Sequence, residues 1–252
     1  MLEVKDVNVF NLEESIVASG FPMSTGELEN DFEEHVWCTE IYLSGIVPKS
    51  EEDKRDSLIG KKHFDRAKKL ANTPSGSGHS TFLTGIRVTF NLKYPEYISP
   101  QLQRYHWLDI VSSNSKMHRL TKMDIRKSVN KYVDDVVIDN LNKWIDLYNN
   151  FPKGKNFVST DHEEVNYVKD IFEVVRKDIQ AFDWLSKYEV FMKIISNCPL
   201  GLEKWTHIST NYQQLKTIYS QRKNHKLEED YLALCDMIRE LPCAKDFITG
   251  GE

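Results

Sequence analysis

The clearest pattern in the chain is a period of two. Ile86, Val88, Phe90 and Leu92 alternate with Arg87, Thr89, Asn91 and Lys93, which predicts a strand with one buried and one polar face, ended by Pro95. Residues 4–10, VKDVNVF, alternate over a shorter span, and WTHIST at 205–210 reads as a third strand leading into a helix. Elsewhere the apolar positions recur at helical spacing. Phe32, Val36, Trp37, Ile41 and Leu43 predict a helix over 30–47 that stops at Pro48. The run PKSEEDKRD at 48–56 reads as a polar loop, and a second helix over 58–71 ends in TPSGSG. Further helices are expected over 98–108, 125–148, 163–185, 187–196, 211–221 and 227–240, with SSNS at 112–115 as a loop. A few strands among many helices, with no regular βαβ alternation and no fixed repeat, predict an α+β fold.

Composition narrows the function classes. With 252 residues, 40% hydrophobic and 28% charged, the chain has the material for one globular domain over 1–252. No eighteen-residue apolar stretch is free of charge, so no transmembrane helix is expected, and the mixed charges of MLEVKDVNVF do not read as a signal peptide. Cys38, Cys198, Cys235 and Cys243 are far apart with no C-x-x-C; reduced thiols in a cytoplasmic protein are expected, not structural zinc. The net charge of −5 argues against a general nucleic-acid binder. Yet residues 87–131 hold nine bases against three acids, while residues 1–58 hold fourteen acids against four bases. Such a central basic stretch offers a local field to an anionic small molecule, or else a solvated face balancing the acidic N-terminal part. There is no P-loop motif; SGSGHS precedes a strand instead of following one, the wrong context for a dinucleotide turn. H-E-x-x-H and G-x-S-x-G are also missing, and no metal site is expected.

Three segments taken together point further. The first is GSGHSTF, with His79 just before the alternating strand. The second is Gln101-Leu102-Gln103-Arg104-Tyr105-His106, followed by a serine-rich loop and Lys116 or Arg119. The third is Cys198-Pro199, then Asn211-Tyr212-Gln213-Gln214-Leu215, then Arg222. In order and spacing this resembles the flavin-dependent thymidylate synthase family, whose motifs are a G-H-x-[ST] entry, Q-x-x-R-H-R, a serine-rich loop, R-x-x-L-P, N-x-R-x-L and a solitary arginine. The likeness covers most of the chain. Departures from the pattern are specific: Tyr105-His106 stand for H-R, Ser112 for the loop glutamate, Ile195 for the arginine before L-P, Cys198 for the leucine of L-P, and Gln213 for the arginine of N-x-R.

The resemblance implies a small antiparallel or mixed sheet packed with many helices, and a homotetramer. It also implies a methyltransferase that passes a methylene group from methylenetetrahydrofolate to carbon 5 of deoxyuridylate (dUMP), with hydride from reduced FAD and NADPH as the reductant. Arg222 would be catalytic, polarising the uracil ring. Gln101, Arg104, Ser113, Ser115, Lys116, Arg119 and Arg222 would hold dUMP, since an always-charged planar fork suits phosphate and carbonyl groups. His79, Thr81, Arg104, Tyr105, His106, Ser112, Asn211, Gln213 and Thr217 would border the flavin. Two other readings stay open: a non-catalytic descendant that binds a nucleotide or a protein, and a helical interaction protein with no tie to this family.

Overall fold

The computed structural model describes residues 2–74, 77–151, 157–159 and 184–251. In chain order its elements are β1 (Glu3–Phe10), α1 (Leu12–Ala18), α2 (Glu27–Asn30), α3 (Phe32–Ser44), α4 (Glu51–Ala71), a 3-10 turn (His79–Thr84), β2 (Arg87–Pro95), α5 (Ser99–Leu102), β3 (Asp109–Ser113), α6 (Lys116–Arg119) and α7 (Asp135–Asn149). Then follow β4 (Phe157–Ser159), β5 (Trp184–Ser186), α8 (Lys187–Ser196), β6 (Glu203–Asn211), α9 (Tyr212–Arg222), α10 (Glu228–Glu240) and α11 (Ala244–Phe247). They form the expected α+β fold, around a four-stranded antiparallel sheet of order β1-β2-β6-β3.

The chain forms two compact units. The first holds residues 1–93, 100–112 and 206–252. Its centre is β2, where Val88, Phe90 and Leu92 are fully buried and the alternating residues Arg87, Thr89, Asn91 and Lys93 are half-buried. β1 pairs antiparallel to it, Phe10 opposite Arg87 and Glu3 opposite Lys93, with a bulge between Lys5 and Asn8. Asp6 takes the left-handed conformation there, φ 53°, a local adjustment typical of edge strands. α4 buries one stripe, Asp56, Gly60, His63, Phe64, Ala67 and Ala71. At Gly60 the two helices α3 and α4 are in close contact: a Cβ there would lie 2.1 Å from the carbonyl oxygen of Cys38.

A partly buried polar chain also ties α1, α3 and α4. Arg66 donates through Nη2 to the carbonyls of Ile16 (3.3 Å) and Val17 (3.0 Å), and through Nε to Ser19 Oγ at 3.3 Å, completing the C-terminal end of α1. The same Nη2 lies 3.0 Å from His63 Nδ1, and His63 Nε2 lies 2.9 Å from His35 Nδ1. Arginine only donates, so His63 Nδ1 accepts and its proton sits on Nε2, donated to His35. Burial, then the charge of Arg66 and His35, push the His63 pKa down to about 4. An unfolded histidine titrates near ~6.5, so between these values the unfolded chain binds the extra proton and acid favours unfolding. Stability should therefore fall as pH drops from ~6.5 towards 4, by on the order of 2 kcal/mol from this group. Urea denaturation at pH 7, 5.5 and 4.5 measures it; an equal slope in His63→Gln would assign the loss to other groups.

The second unit holds residues 94–99 and 113–205. Its core joins Leu120, Ile125 and Leu202 to Ile138, Leu141, Trp144 and Ile145 of α7 and Val190 and Ile194 of α8. β4 and β5 pair antiparallel, Phe157 opposite Ser186. A capping box at Ser186 and Glu189 starts α8 where the sequence pattern places it.

Several boundaries differ from the sequence reading, each for a local reason. α4 begins at Glu51, inside the expected 48–56 loop, because Ser50 and Asp53 form a capping box. α3 ends at Gly45, in the left-handed conformation at φ 67°, before Pro48 is reached. The helix expected over 98–108 is confined to Ser99–Leu102; beyond it Trp107 N–H donates to Gln214 Oε1 (3.2 Å) and its carbonyl accepts from Thr210 Oγ1 (2.8 Å), side-chain partners that replace a helical ladder. Ser112 and Ser113, expected in a loop, end β3. The helix expected from 125 starts only at Asp135: before it Asn130 N–H bonds the Gly201 carbonyl and Val129 bridges Leu202. The helix expected over 163–185 falls on residues outside those described, except that 184 and 185 belong to β5.

Candidate functional site

Within the first unit, β6 delivers the chain into α9, and Asn211 caps that helix by accepting the Gln214 N–H at 2.9 Å. Eleven residues later, at the last turn, stands Arg222. Its guanidinium lies over the Tyr231 ring, 4.6 Å from the centroid, and near the Tyr105 ring at 5.5 Å. Nε donates to Tyr105 Oη at 2.7 Å and Nη1 to Gln101 Oε1 at 3.0 Å. Tyr231 Oη lies 3.0 Å from the same Gln101 oxygen, and Tyr105 Oη lies 3.2 Å from Gln221 Oε1. Residues 101–105, the end of α9 and the first turn of α10 thus converge on one cation. Stacking against a desolvated ring contributes about 1–2 kcal/mol to holding such a group.

The remaining environment sharpens the picture. Tyr231 is fully buried and Tyr105 is 8% exposed, whereas Arg222 and Gln101 are half-buried. Burial pushes the Tyr231 phenol up to about 12, so it stays protonated at neutral pH. His225 meets the Tyr231 ring edge-on at 5.3 Å and accepts the Leu227 N–H through Nδ1. Burial, Arg222 and Lys226 lower its pKa, which favours the neutral imidazole beside the guanidinium. Arg222 itself uses two of its five N–H donors on described residues, leaving the others for a ligand.

The expected site residues are distributed as follows. Gln101, Tyr105 and Arg222 come together. Arg104 is exposed, and His106 is exposed with its ring edge-on to Trp107. His79 and Thr81 lie exposed on the 3-10 turn, which packs against α9; Gly78 opens that turn at φ 78°, a conformation glycine permits. On α9, Gln213 Oε1 is buried with no hydrogen-bond donor among the described residues, and Thr217 Oγ1 donates to the Gln213 backbone carbonyl at 3.2 Å. Asn211 is 2% exposed and its side-chain oxygen is committed to the cap. Ser112 is exposed on β3.

Ser113, Ser115, Lys116 and Arg119 belong to the second unit and are all exposed. There Lys116 Nζ pairs with Glu96 at 3.5 Å, and the other Glu96 oxygen pairs with Lys204 at 3.4 Å. Lys204 also donates to Ser99 Oγ at 3.0 Å. Ile195 packs against that unit's apolar core, and burial raises the Cys198 thiol pKa despite nearby Lys116.

Tyr231, Gln214, Gln221 and His225 were not singled out by sequence. In the pattern Tyr231 is one more apolar position of an amphipathic helix, and nothing local marks its hydroxyl. A shallow groove of about 540 Å³ along α4, lined by Leu58, Leu70, Lys61, Lys62, Arg66 and Lys69 among others, contains none of the expected site residues. Among the described residues no helix is long and apolar enough to cross a membrane, and no group of three or more His, Cys, Asp or Glu is placed to hold a metal ion.

No protein-family model matches the chain, and no curated protein matches it in sequence. Solved structures do. A UMP/dUMP methylase, PolB from Streptomyces cacaoi bound with 5-Br dUMP, superposes with a TM-score of 0.51 at 11% identity, over 99% of this chain and 94% of that one. The flavin-dependent thymidylate synthase ThyX from Helicobacter pylori, complexed with FAD and dUMP, matches at a TM-score of 0.49 and 15% identity, over 99% of this chain and 98% of that one. The first of these likenesses establishes a shared fold.

Proposed function

We propose that this chain is a divergent flavin-dependent thymidylate synthase, acting as a homotetramer on dUMP or a related pyrimidine nucleotide. The net reaction converts dUMP, methylenetetrahydrofolate, NADPH and a proton to dTMP, tetrahydrofolate and NADP⁺. The observation that carries the reading is the Arg222 cluster: a permanently charged planar fork, stacked on Tyr231 and bonded to Gln101 across 121 residues of sequence. Carbon 5 of a uracil ring becomes nucleophilic as negative charge is admitted to its N3–C4–O4 edge. A fork already oriented and partly desolvated favours that charge more than the neutral ring. Gln101 and Arg104 would hold the nucleotide.

FAD is the cofactor in this reading, and the first unit's residues fit it on one count. Gln213 Oε1 is a buried acceptor without a donor among the described residues, a deficit that costs about 1–3 kcal/mol until a donor arrives; a flavin ring N–H or a ribityl hydroxyl would serve. His79, Thr81, Arg104, His106, Ser112 and Thr217 would border it, with Tyr105 and Asn211 supporting from behind. When bound, the reduced flavin supplies the hydride. Titration of FAD should quench flavin fluorescence at micromolar protein, and Gln213→Leu should weaken binding about tenfold. Equal affinity in the variant would leave Gln213 without a flavin role. The reaction itself is tested by tritium release from carbon 5 of labelled dUMP with methylenetetrahydrofolate, FAD and NADPH present; no release from wild type ends the synthase reading.

A second reading is a non-catalytic or re-purposed nucleotide-binding descendant. It is favoured by Tyr105, which stands for the family's central histidine and has its hydroxyl committed to Arg222 and Gln221. Tight dUMP binding without tritium release would select it.

A further inference from the structure

Two donors converge on one oxygen in the Arg222 cluster, and this fixes which way an amide points. Arginine has no acceptor, so the Gln101 atom 3.0 Å from Arg222 Nη1 must be the carbonyl oxygen. Tyr231 Oη, 3.0 Å from that same oxygen, can then only donate to it. Oε1 is therefore turned inward with both bonds satisfied. The amide nitrogen is turned the other way: it makes no hydrogen bond with the described residues and is not among the buried unpartnered atoms. Tyr105 is spent in the same manner, accepting from Arg222 and facing the Gln221 carbonyl oxygen, to which it donates. The groups left to meet a ligand are the Gln101 NH₂ and the remaining Arg222 N–H donors.

We propose that Tyr231 is the positioning residue of this cluster: by donating to Gln101 Oε1 it locks the carboxamide with its NH₂ outward, so that Gln101 offers a donor and selects a pyrimidine with a carbonyl over one with an amino group at ring position 4. The proposal rests on the pyrimidine-nucleotide reading above. Without the Tyr231 hydroxyl, one of the two bonds holding Oε1 inward is lost and the amide is freer to rotate. Rotation would present the oxygen to the ligand, an acceptor that suits the 4-amino group of cytosine. The selectivity of the site thus depends on a residue that need never touch the ligand. A full acceptor–donor mismatch in a desolvated site is penalised heavily, because a buried polar group is left unpaired.

Tyr231→Phe keeps the ring beneath Arg222 and deletes only the hydroxyl. Binding of dUMP and dCMP, measured by calorimetry, should favour dUMP in the wild type, and that preference should shrink about tenfold in the variant. The thermal unfolding midpoint, measured in parallel, reports any loss of packing; a structural role alone would weaken both nucleotides equally. A readout independent of nucleotide comes from the ¹⁵N-labelled free protein, where the Gln101 side-chain NH₂ resonances should shift in Tyr231→Phe and sharpen as rotation is released. An unchanged Gln101 signal overturns the proposal, whether or not a nucleotide binds. So does an unaltered dUMP preference in the variant, or no preference in the wild type, and both of those leave the pyrimidine-binding reading standing. If the wild type binds neither nucleotide, that reading falls, and the Gln101 resonances alone decide the role of Tyr231.

Discussion

Arg222→Lys is expected to lower the rate of tritium release from dUMP by roughly 10²–10³-fold, the usual cost of removing one well-placed donor from a preorganised site. Nucleotide affinity should change far less. Lysine preserves the charge, but a compact ammonium cannot bond Tyr105 and Gln101 at fixed angles while spreading over the Tyr231 face. What disappears is the fixed direction of the remaining N–H groups, and direction matters most where charge develops during reaction. A kcat decrease much larger than the change in dUMP dissociation constant supports the assignment. A variant with weakened affinity and normal kcat would make Arg222 a binding residue only. Arg104→Ala gives the contrast: exposed on the segment that follows α5, it should affect nucleotide or flavin binding more than turnover.

Gly60→Ala should destabilise the chain by about 3 kcal/mol, roughly a hundredfold in the folding equilibrium. The expected sign is opposite to helix propensity, which favours alanine over glycine by about 1 kcal/mol in a helix interior. The added methyl would meet the Cys38 carbonyl oxygen at 2.1 Å, its carbon at 2.7 Å and Tyr42 Cβ at 2.9 Å. The first two are backbone atoms of α3, so no rotamer change relieves the contact and the helices must separate. Separation would disturb the aromatic contact of Tyr42 with Phe64, at 5.5 Å, and the His35–His63 bond. Guanidinium denaturation reads the effect directly. A midpoint equal to or above wild type would mean that α3 and α4 pack less closely than this.

The elements legible from sequence are those whose cause is local. The two-residue period of β2 reflects one face against a core, and it survives in full as Val88, Phe90 and Leu92. α8, α9 and α10 follow their apolar spacing to within a residue or so. Asn211 and Arg222 could be placed at the two ends of one helix because a cap and a helix are both read over short spans. Boundaries differ where a short-range cap outweighs the polar pattern, as at the Ser50–Asp53 box, or where the competing partner is remote, as at Trp107, whose backbone is held by Thr210 and Gln214.

The amino-acid order by itself determined the α+β class and the central strand, and a family resemblance singled out Gln101 and Arg222 as candidates. Only the tertiary structure decided which way those groups point. Tyr231 lies 130 residues from Gln101, and its hydroxyl bond exists because the first turn of α10 meets Gln101 of α5. A periodic pattern records which side of a helix avoids water, since burial of apolar area is nondirectional and repeats with the helix. A hydrogen bond depends on distances and angles that close only when separate elements meet. Tyr231 is therefore legible in sequence as a core residue, and its directional role comes from the packing that brings Gln101 and Arg222 against it.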